Sequence, residues 1–365
     1  LPDATMPKAY VPMAIPTRLT DNNMCKSTKS DPYCYIDFDT IDDIDHTNVQ
    51  PLLDLAGPET GADYCAEIVE WTTPNDTTLP ICKTEDDIIR ACGKADALLV
   101  QWAPVTRRVL EALPNVRCIV RYGVGVNNFD LDAARDLGVV AANVPDFCVE
   151  EVANHALAMI LSLCRRIPQD HHQILQGGWG VNPFRPIQAL TELTLGLVSF
   201  GKIARNLARK AAALGFSTIA CDPYVEPRVF AEYLTGCVEF DELIQRADIV
   251  SLHCPLVAET THLMNRRTFR NMKPGAILVN TSRGPVVEEA ALVDALKSGA
   301  LGGAGLDVFE EEPLPPESPL RTFPNVILTS HAASVSEKAV ELLQRKAAEA
   351  ARDFLQGKDP VSRLV

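Results

Sequence analysis

Three polar residues in the second half of the chain each follow an apolar run that is typical of a β-strand. Arg283 comes after AILVNTS, Glu312 ends the stretch GLDVFEEE, and His331 follows NVILTS. Because ligands of an open parallel sheet bind outside the carboxyl ends of its strands, we expect these side chains to reach one site. A guanidinium can hold an anion there, and an imidazole beside a carboxylate can take or give a proton near neutral pH.

Each of these residues also has a simpler interpretation. Arg283 can cap the turn that follows it, Glu312 can be one of three solvated acids, and His331 can be an ordinary loop histidine. One such coincidence is common, but three at the ligand edge of one sheet favour a shared active site.

The three residue types match the oxidation of a 2-hydroxy acid by a nicotinamide cofactor. The guanidinium of Arg283 would hold the carboxylate and the developing carbonyl oxygen. The imidazole of His331 would take the hydroxyl proton while hydride leaves carbon, and would return it in the reducing direction. The carboxylate of Glu312 would orient the ring and favour its protonated form.

A cofactor-binding turn is predicted at residues 199–204, between an apolar strand and a helix. The sequence SFGKIA occupies the frame of a G-x-G-x-x-G/A fingerprint, in which N–H groups at the start of the helix face a pyrophosphate. Asp222 ends the next strand, where an acid binds the adenosine ribose and repels a 2′-phosphate, which favours NAD over NADP. Glycine spacing alone does not exclude an ordinary strand-to-helix turn.

The composition of the 365-residue chain is that of a soluble globular protein with two domains, since 47% of its residues are hydrophobic and 22% are charged. The formal net charge of −14 argues against a nucleic-acid-binding surface, which needs clustered Lys and Arg. No run of about 18 apolar residues is free of charge, so no membrane span is expected.

Eleven cysteines are scattered without a metal-ligand spacing, and several, such as Cys118, Cys221 and Cys254, lie in or beside apolar strands. This usage predicts buried thiols in a reducing compartment, with neither a disulfide framework nor a metal site. The first residues do not combine a charged region with an apolar core, so no intact signal peptide is predicted. We therefore expect a cytoplasmic protein.

Strands that alternate with helices predict parallel sheets covered on both faces. In the first half, strands are expected at 34–38, 67–71, 97–100, 116–120 and 139–142, with helices at 84–92 and 106–113. After the strand–helix–strand unit at 195–222, helices are expected at 241–246, 265–272 and 288–296, with strands at 248–253, 276–281, 303–309 and 326–330. The second half thus supplies a doubly wound sheet of six or seven strands.

Four segments lie outside this alternation. Residues 1–32 are polar and without periodicity, which predicts an extended arm or a partly ordered tail. Residues 149–166 form a long apolar helix candidate that we expect to be buried and to link two domains. Residues 169–192 contain Gly and Pro with little periodicity and predict an excursion over another surface, such as a second subunit. The amphipathic helix predicted at 336–356 is expected to return to the first domain.

Five motifs in a fixed order accompany the cofactor turn and Asp222. They are RYGVGVNNFD at 121–130, HCPL at 253–256, NTSRG at 280–284, DVFEEEP at 307–313 and SHAA at 330–333. With these motifs, the chain from about Cys34 to Gln356 resembles the D-isomer-specific 2-hydroxyacid dehydrogenase family. That family includes phosphoglycerate dehydrogenases and the C-terminal-binding corepressor proteins.

The resemblance implies roles for residues on the substrate side. The catalytic trio would be Arg283, Glu312 and His331, with Glu312 preferred to Glu310 because it directly precedes a proline. Val124 and Gly125 would offer backbone N–H groups to the substrate carboxylate. Arg121 resembles a substrate-side arginine of the corepressor branch.

For the cofactor, the resemblance implies NAD. Asp222 would bind the adenosine ribose, and Thr281 with Asp307 would lie near the nicotinamide amide. The 201–204 turn would bind the pyrophosphate. The full set of cofactor contacts implied by the resemblance is Val152, Phe200, Gly201, Lys202, Ile203, Ala204, Asp222, Cys254, Pro255, Thr260, Thr281, Ser282, Arg283, Asp307 and His331.

The resemblance also implies an α/β architecture of two doubly wound domains, with a Rossmann cofactor domain inserted into a flavodoxin-like substrate domain. The expected boundaries are 1–32 for an N-terminal extension, 33–148 with 332–365 for the substrate domain, and 149–331 for the cofactor domain. Members are usually dimeric through the cofactor domains, which would explain the segments 149–166 and 169–192. Closure of the two domains about a hinge would exclude water from the reaction.

Three residues depart from the family pattern. Ser199 replaces the first glycine of the fingerprint, and Asn127 stands where many relatives have Asp. Ser334 stands where the corepressor branch has a tryptophan, so that substrate pocket is not reproduced. Another aromatic residue, Trp102, follows a predicted strand and can either line the acyl pocket or serve packing.

The sequence leaves two hypotheses of different kinds. The first is an NAD-dependent oxidoreductase (EC 1.1.1.-) that acts on a small D-2-hydroxy acid or 2-keto acid. The second is an NAD(H)-sensing, corepressor-like interaction protein that uses the same fold. A relative that acts on formate or phosphite is disfavoured, because formate-specific members carry Gln where this chain has Glu312.

Overall fold

The computed structural model describes residues 33–36, 65–67, 84–93 and 95–365. The predicted N-terminal extension, 1–32, lies outside the described residues. Of the strand predicted at 67–71, only Glu67 lies within them, at the end of a strand that begins at Cys65.

The first sheet has five parallel strands in the order β2-β1-β3-β4-β5. They are β1 (Tyr33–Ile36), β2 (Cys65–Glu67), β3 (Ala97–Val100), β4 (Cys118–Arg121) and β5 (Val140–Ala142). Three helices precede or connect them, namely α1 (Glu85–Ala91), α2 (Arg107–Ala112) and α3 (Leu131–Leu137). The strands β3 and β4 are buried along their whole length and are apolar except for Arg121, which is typical of parallel strands covered on both faces.

Local signals explain where two of these helices begin. The Thr84 side chain accepts from Asp87 N, and the Asp87 side chain accepts from Thr84 N, which forms a capping box before α1. The Asp130 side chain caps α3 by accepting from Ala133 N, and Gly138 ends that helix in the left-handed region. The helix α3 is absent from the sequence-based prediction.

The second sheet has seven parallel strands in the order β12-β11-β10-β9-β6-β7-β8. They are β6 (Thr194–Val198), β7 (Ser217–Cys221), β8 (Thr235–Cys237), β9 (Ile249–Leu252), β10 (Ala276–Asn280), β11 (Leu301–Leu306) and β12 (Val326–Leu328). The chain moves outward from β6 in both directions, so the strand order reverses between β6 and β9. The predicted sheet of six or seven parallel strands is confirmed.

Helices cover both faces of the second sheet. They are α4 (Val149–Cys164), α5 (Ile167–Leu175), α6 (Lys202–Ala213), α7 (Pro227–Glu232), α8 (Phe240–Arg246), α9 (Arg266–Asn271) and α10 (Glu289–Lys297). The helix α4 packs against α6 and against β10 and β11. Its buried stripe includes Ala156, Met159 and Ile160, so the apolar middle of α4 is the part that joins the core.

The last helix, α11 (Glu337–Leu355), returns to the first sheet, where it packs on β3 and β4. Ala347 and Ala351 are fully buried there, and small residues let the helix lie close to the strands. The tail after α11 also joins this sheet, since Leu364 N donates to Ala141 O at 2.7 Å and Arg363 forms a bridge with Ala142.

The segment 169–192, predicted as an irregular excursion, contains regular structure. The helix α5 occupies its first part, and short 3-10 turns follow at Asn182–Phe184 and Leu190–Glu192. The prediction was wrong because α5 has no buried residue and therefore shows no apolar stripe in the sequence. The short edge strand β8 and the helix α7 were also not predicted.

Candidate active site

Arg283 lies just beyond the carboxyl end of β10, in a turn held by Asn280. The Nδ2 of Asn280 donates to Arg283 O at 2.9 Å, and its Oδ1 accepts from Ser282 N at 3.0 Å. A Cβ on the next residue, Gly284, would meet Phe309 O at 1.7 Å, so only glycine lets this turn approach the segment after β11. The turn thus brings Arg283 beside the segment that carries Glu312.

The guanidinium of Arg283 is held on two sides. Its Nη1 donates to Ser282 O at 2.6 Å, and its Nε donates to Asn127 Oδ1 at 3.1 Å. Its Nη2 lies against Gly125, where an added Cβ would be 1.8 Å away. Burial lowers the pKa of Arg283, and the negative charge of Glu312 opposes that shift. The group stays a cation near neutral pH because its ordinary pKa is so high.

His331 follows β12 and forms a pair with Glu312. Its φ of 55° turns the chain sharply, and its N–H donates to Asp307 O at 2.8 Å. Nδ1 of the ring lies 2.8 Å from Glu312 Oε2, and Glu312 Oε1 accepts from Phe309 N at 3.0 Å. Burial would raise the pKa of Glu312, but the hydrogen bond and charge of His331, together with the Phe309 N–H, hold it below its ordinary value.

The protonation of this pair follows from that shift. Because Glu312 is ionised at neutral pH, Nδ1 of His331 must donate to it. The other ring nitrogen, Nε2, is then the one that remains for a substrate. The pair can therefore act as an oriented acid or base through Nε2.

Trp102, directly beyond β3, connects His331 to Arg121. Its ring meets the His331 ring edge-on, with centroids 5.0 Å apart, and Cζ of Arg121 lies 5.2 Å from the Trp102 centroid. Arg121 is buried at the end of β4, and its Nη1 donates to Tyr122 O. Trp102 remains 39% exposed, so one part of its ring faces open space beside the histidine. The aromatic ring is therefore available to contact a ligand at His331.

A second histidine, His253, ends the strand neighbouring β10. Desolvation of its ring lowers the pKa of His253 to about 4, so the ring is neutral near pH 7. One ring nitrogen, Nε2, lies 2.9 Å from Ser251 Oγ. Burial also raises the pKa of the adjacent Cys254 thiol to about 11. Neither residue is suited to proton transfer at neutral pH.

The 199–204 turn joins β6 to α6. Ser199 has a φ of 70°, in the left-handed region that favours glycine, and its Oγ donates to Asp222 Oδ2 at 3.0 Å. A non-glycine residue in that region costs roughly 1–2 kcal/mol, and the hydrogen bond to Asp222 offsets part of the cost. A Cβ on Gly201 would meet no heavy atom within 4 Å among the described residues, so the space before α6 is open.

The remaining residues of the turn contribute backbone rather than side chain. Phe200 and Ala204 are fully buried, with the Phe200 ring stacked on Phe230 at 4.6 Å. The first intrahelical hydrogen bond runs from Arg205 N to Gly201 O, so the preceding N–H groups point out of the helix end. A pyrophosphate can accept from these groups.

The other predicted cofactor residues differ in whether their hydroxyl groups already have a hydrogen-bond partner. The Thr281 hydroxyl is buried and has no hydrogen-bond partner within the described parts of the chain. By contrast, the Ser282 hydroxyl donates to Asn280 Oδ1 at 2.8 Å, and Thr260 Oγ1 donates to Pro255 O at 2.6 Å. An open turn, an acid at 222 and an unsatisfied hydroxyl at 281 fit a bound dinucleotide.

Asp307 holds the turn that carries His331. The Asp307 carboxylate is 1% exposed; Oδ1 accepts from Ala332 N and Thr329 Oγ1, and Oδ2 accepts from Ala333 N. His155, on α4, contacts the same Thr329 hydroxyl at 3.0 Å. Val152, one turn earlier on α4, packs in the same cluster as Ala333. These contacts connect α4 to the histidine turn.

The structure brings Arg283, Glu312 and His331 together with Trp102 and Gly125. Other predicted residues lie elsewhere along the second sheet: Pro255 and Thr260 are on the loop after β9, and Val152 is on α4. Two contacts were not predicted from the sequence. One is the bond of Asn127 to Arg283, and the other is the ion pair of Lys202 with Asp146. The departure of Asn127 from the family pattern was the one available signal.

The described residues contain neither a metal-binding cluster nor a membrane-spanning helix. No group of three or more His, Cys, Asp or Glu side chains within them is arranged to hold a metal ion. None of the helices in the described part of the chain combines the length and hydrophobicity needed to cross a bilayer.

Known proteins match this chain over most of its length. A family model described as D-isomer specific 2-hydroxyacid dehydrogenase, NAD binding domain, matches residues 157–333. The glyoxylate reductase of Korarchaeum cryptofilum is 35% identical over 307 residues, which are 83% of this chain and 92% of that protein. The D-3-phosphoglycerate dehydrogenase of Methanocaldococcus jannaschii is 37% identical over 276 residues. Those residues are 75% of this chain but 52% of that protein, so the chain spans about half of its length.

A solved structure of a D-2-hydroxyacid dehydrogenase also resembles this chain. The D-lactate dehydrogenase from Aquifex aeolicus, crystallised with NAD and lactic acid, aligns with a TM-score of 0.75 and 26% identity. The alignment covers 89% of this chain and 96% of that one. The predicted α/β fold with a Rossmann domain and the predicted cofactor, NAD, are thereby confirmed.

Proposed function

The chain belongs to the D-isomer specific 2-hydroxyacid dehydrogenase family of NAD-dependent oxidoreductases, and from this premise we propose that it interconverts a small 2-keto acid and the corresponding D-2-hydroxy acid. The observation that carries the proposal is the His331–Glu312 pair, with 2.8 Å between Nδ1 and Oε2, beside the fixed guanidinium of Arg283. This arrangement supplies an acid/base and an anion site in one cleft.

In the proposed mechanism, Arg283 binds the keto acid. Its planar fork donates hydrogen bonds to the carboxylate and to the carbonyl oxygen, whose negative charge grows during reduction. Backbone N–H groups of Val124 and Gly125 donate further hydrogen bonds to the carboxylate. Arg121, which lies against the Trp102 ring, adds a second positive charge near the site. Bound NADH supplies the hydride to the carbonyl carbon.

The proton comes from His331 in this proposal. The ring begins as the imidazolium, donates the Nε2 proton to the carbonyl oxygen and ends neutral. Glu312 stays ionised throughout, keeps the ring in place and stabilises its charged form. In the oxidation direction the same residues act in reverse.

The proposed cofactor contacts include the 199–204 turn, Asp222, Thr281 and Asp307. The N–H groups of the turn bind the pyrophosphate and Asp222 the adenosine ribose, which favours NADH over NADPH because a carboxylate repels a 2′-phosphate. The Thr281 hydroxyl and the Asp307 carboxylate would face the nicotinamide amide. The side-chain burial of Ala204 supports a backbone role for that residue, whereas the Phe200 N–H already donates to Asp222 Oδ2 at 2.8 Å.

The direct test is the rate of NADH and NADPH oxidation with glyoxylate, hydroxypyruvate, pyruvate and phenylpyruvate. The first two acids are included because one relative of this chain is a glyoxylate reductase and another is a hydroxypyruvate reductase. Turnover of at least one acid with preference for NADH is expected. If no acid is reduced while NADH binds tightly, the corepressor-like alternative is the better account.

We expect a Gly125→Ala enzyme to lose activity because the added methyl collides with Arg283. A Cβ at 125 would lie 1.8 Å from Arg283 Nη2. Displacement of a substrate-binding group by about 1 Å can cost roughly 100-fold in rate, so kcat/KM should fall by about that factor. Gly93→Ala is the control, because its methyl would approach nothing closer than Ile89 O at 4.0 Å. Equal kcat/KM values for the two variants would contradict the proposed role of Arg283.

We expect Glu312→Gln to narrow the pH range of keto-acid reduction. Glu312 has a pKa held below its ordinary value, so its charge supports the imidazolium throughout the neutral range. A neutral amide removes that support, and the alkaline limb of kcat/KM should move to lower pH. If the alkaline limb of kcat/KM lies at the same pH in the native enzyme and in Glu312→Gln, Glu312 does not act through His331.

We further propose that 33–148 with 332–365 forms the substrate domain and 149–331 the cofactor domain. The return of α11 and the C-terminal tail to the first sheet supports this division. The active-site residues come from both parts, since Gly125 belongs to the first and Arg283 to the second. Movement between the parts would open and close the cleft.

A homodimer is proposed through the segment that contains α5. Its large hydrophobic side chains are exposed in the single chain, including Leu175 at 71% and Trp179 at 91%. A cluster of such residues is typical of a protein interface. We expect light scattering to give a dimer for the native chain and a monomer for Trp179→Glu. Val361→Glu, which changes a fully exposed residue elsewhere, should stay dimeric.

A cytoplasmic location is also proposed. Cys118, Cys148, Cys164 and Cys254 are buried free thiols, and burial raises the pKa of each. Such thiols are stable in a reducing compartment. Fractionation of cells that express the chain would test the location.

A further inference from the structure

Asn127 contacts the proposed substrate arginine from the other sheet. Its Oδ1 lies 3.1 Å from Nε of Arg283, a residue 156 positions later in the chain. A guanidinium nitrogen can only donate, so the amide oxygen is the acceptor. The proposed mechanism does not yet use this contact.

The loop that carries Asn127, between β4 and α3, is itself well fixed. The neighbouring Asn128 accepts from Val105 N at 2.8 Å through its backbone oxygen. Its side-chain Nδ2 donates to Ala103 O at 2.9 Å. Asn127 therefore connects Arg283 to a loop that is anchored to the first sheet.

The contacts of Arg283 constrain the plane of its guanidinium. Asn127 holds Nε, Ser282 O holds Nη1 at 2.6 Å, and Gly125 lies against Nη2. Without the Asn127 contact, Nε has no partner among the described residues, and only the contacts at Nη1 and Nη2 limit rotation of the guanidinium. The precision with which a fork can bind a carboxylate depends on that plane.

The contact with Asn127 adds no negative charge. Among the described groups that interact electrostatically with Arg283, Glu312 is the one that is ionised, and it is already bonded to His331. The other, Cys148, is neutral because burial raises its thiol pKa to about 12. An amide at 127 thus orients the cation and leaves its charge for an incoming anion.

We propose that Asn127 is a positioning residue that sets the affinity for the keto-acid carboxylate by holding Arg283 through a neutral hydrogen bond. The inference rests on the proposed function, since it assigns Arg283 to that carboxylate. An aspartate at 127 has the same shape and can accept the same bond, but it partly neutralises the cation and repels the substrate. A leucine has a similar size but accepts no bond.

The test compares Asn127→Asp and Asn127→Leu with the native enzyme in steady-state reduction of the best keto acid. Asn127→Asp should raise KM about tenfold and leave kcat within about threefold, since the geometry is kept and the charge is changed. Asn127→Leu should raise KM about tenfold and also lower kcat, because the fork that binds the carboxylate is no longer held. The Kd for NADH, measured by fluorescence, should stay within about twofold for both and shows that each variant is folded.

Asn271→Asp is the matched control. It adds the same charge at an exposed residue at the end of α9 and should leave KM within about twofold. A rise in KM of less than about threefold for Asn127→Asp would overturn the inference. So would an equal rise for Asn271→Asp, which would show a general effect of added charge.

A binding measurement separates this inference from the proposed function. Oxalate has the carboxylate and neighbouring oxygens of a keto acid but cannot be reduced, so calorimetry with the NADH complex reports the anion site alone. If the native enzyme reduces no acid, the proposed function fails, whereas about tenfold weaker oxalate binding by Asn127→Asp still supports the neutral contact. Equal oxalate binding by the native enzyme and the variant contradicts it.

Discussion

Replacement of His331 by alanine is expected to lower kcat for keto-acid reduction by about 10²–10⁴-fold, which is the usual contribution of a positioned general acid. The reduction then has no side chain that gives a proton to the carbonyl oxygen. His253 cannot substitute, because its lowered pKa of about 4 leaves it neutral. The Kd for NADH should stay within about threefold of the native value, since the 199–204 turn is unchanged.

His262→Ala is a control for this prediction. His262 forms a similar pair with Glu310, with 2.6 Å between Nε2 and Oε1, but it lies on the loop before α9. Its removal should change kcat by no more than about threefold. Retention of native kcat by the His331→Ala enzyme would contradict the proposed proton transfer.

Replacement of Arg283 by alanine is expected to lower kcat/KM by about 10³-fold or more, because substrate binding and stabilisation of the carbonyl oxygen are lost together. Arg283→Lys should recover only part of the loss. A lysine keeps the charge, but it cannot bind a carboxylate with two parallel hydrogen bonds or reach Asn127 as the guanidinium does. The measurement is steady-state kinetics over a range of keto-acid concentration.

The matched variant for Arg283 is Arg266→Ala. Arg266 is exposed on α9 and pairs with Asp294 at 2.6 Å, so its loss removes the same charge away from the cleft. Its kcat/KM should stay within about twofold of the native value. If Arg283→Ala behaves like this variant, the anion site lies elsewhere.

The sequence predicted the elements whose burial is complete. The strands β3, β4 and β10 are apolar except for the terminal residues Arg121 and Asn280, because both faces of these strands are covered. The helix α5 and the three-residue strand β8 were not predicted. The former has no buried residue and the latter is a short edge strand, so neither produces an apolar pattern.

The contacts of the candidate site also fall into those that the sequence predicts and those that it does not. The proximity of Arg283, Glu312 and His331 could be predicted because each follows a strand of one parallel sheet, and such strands end at the same edge. The contact of Asn127 with Arg283 depends on how two sheets are placed relative to each other, and no local pattern reports that. The suitability of Ser199 for a glycine position was also not predictable, because it depends on the bond to Asp222.

The most direct test of the central claim is to follow the hydride. NADH carrying deuterium on the transferred C4 position is incubated with whichever of hydroxypyruvate, pyruvate and phenylpyruvate is reduced fastest, since their products have the stereocentre at C2 that glycolate lacks. The product is examined by NMR and chiral chromatography. The account predicts deuterium at C2 of the D-2-hydroxy acid, with negligible product from the His331→Ala enzyme. Formation of the L-isomer, product without deuterium at C2, or no product from the native enzyme would contradict it.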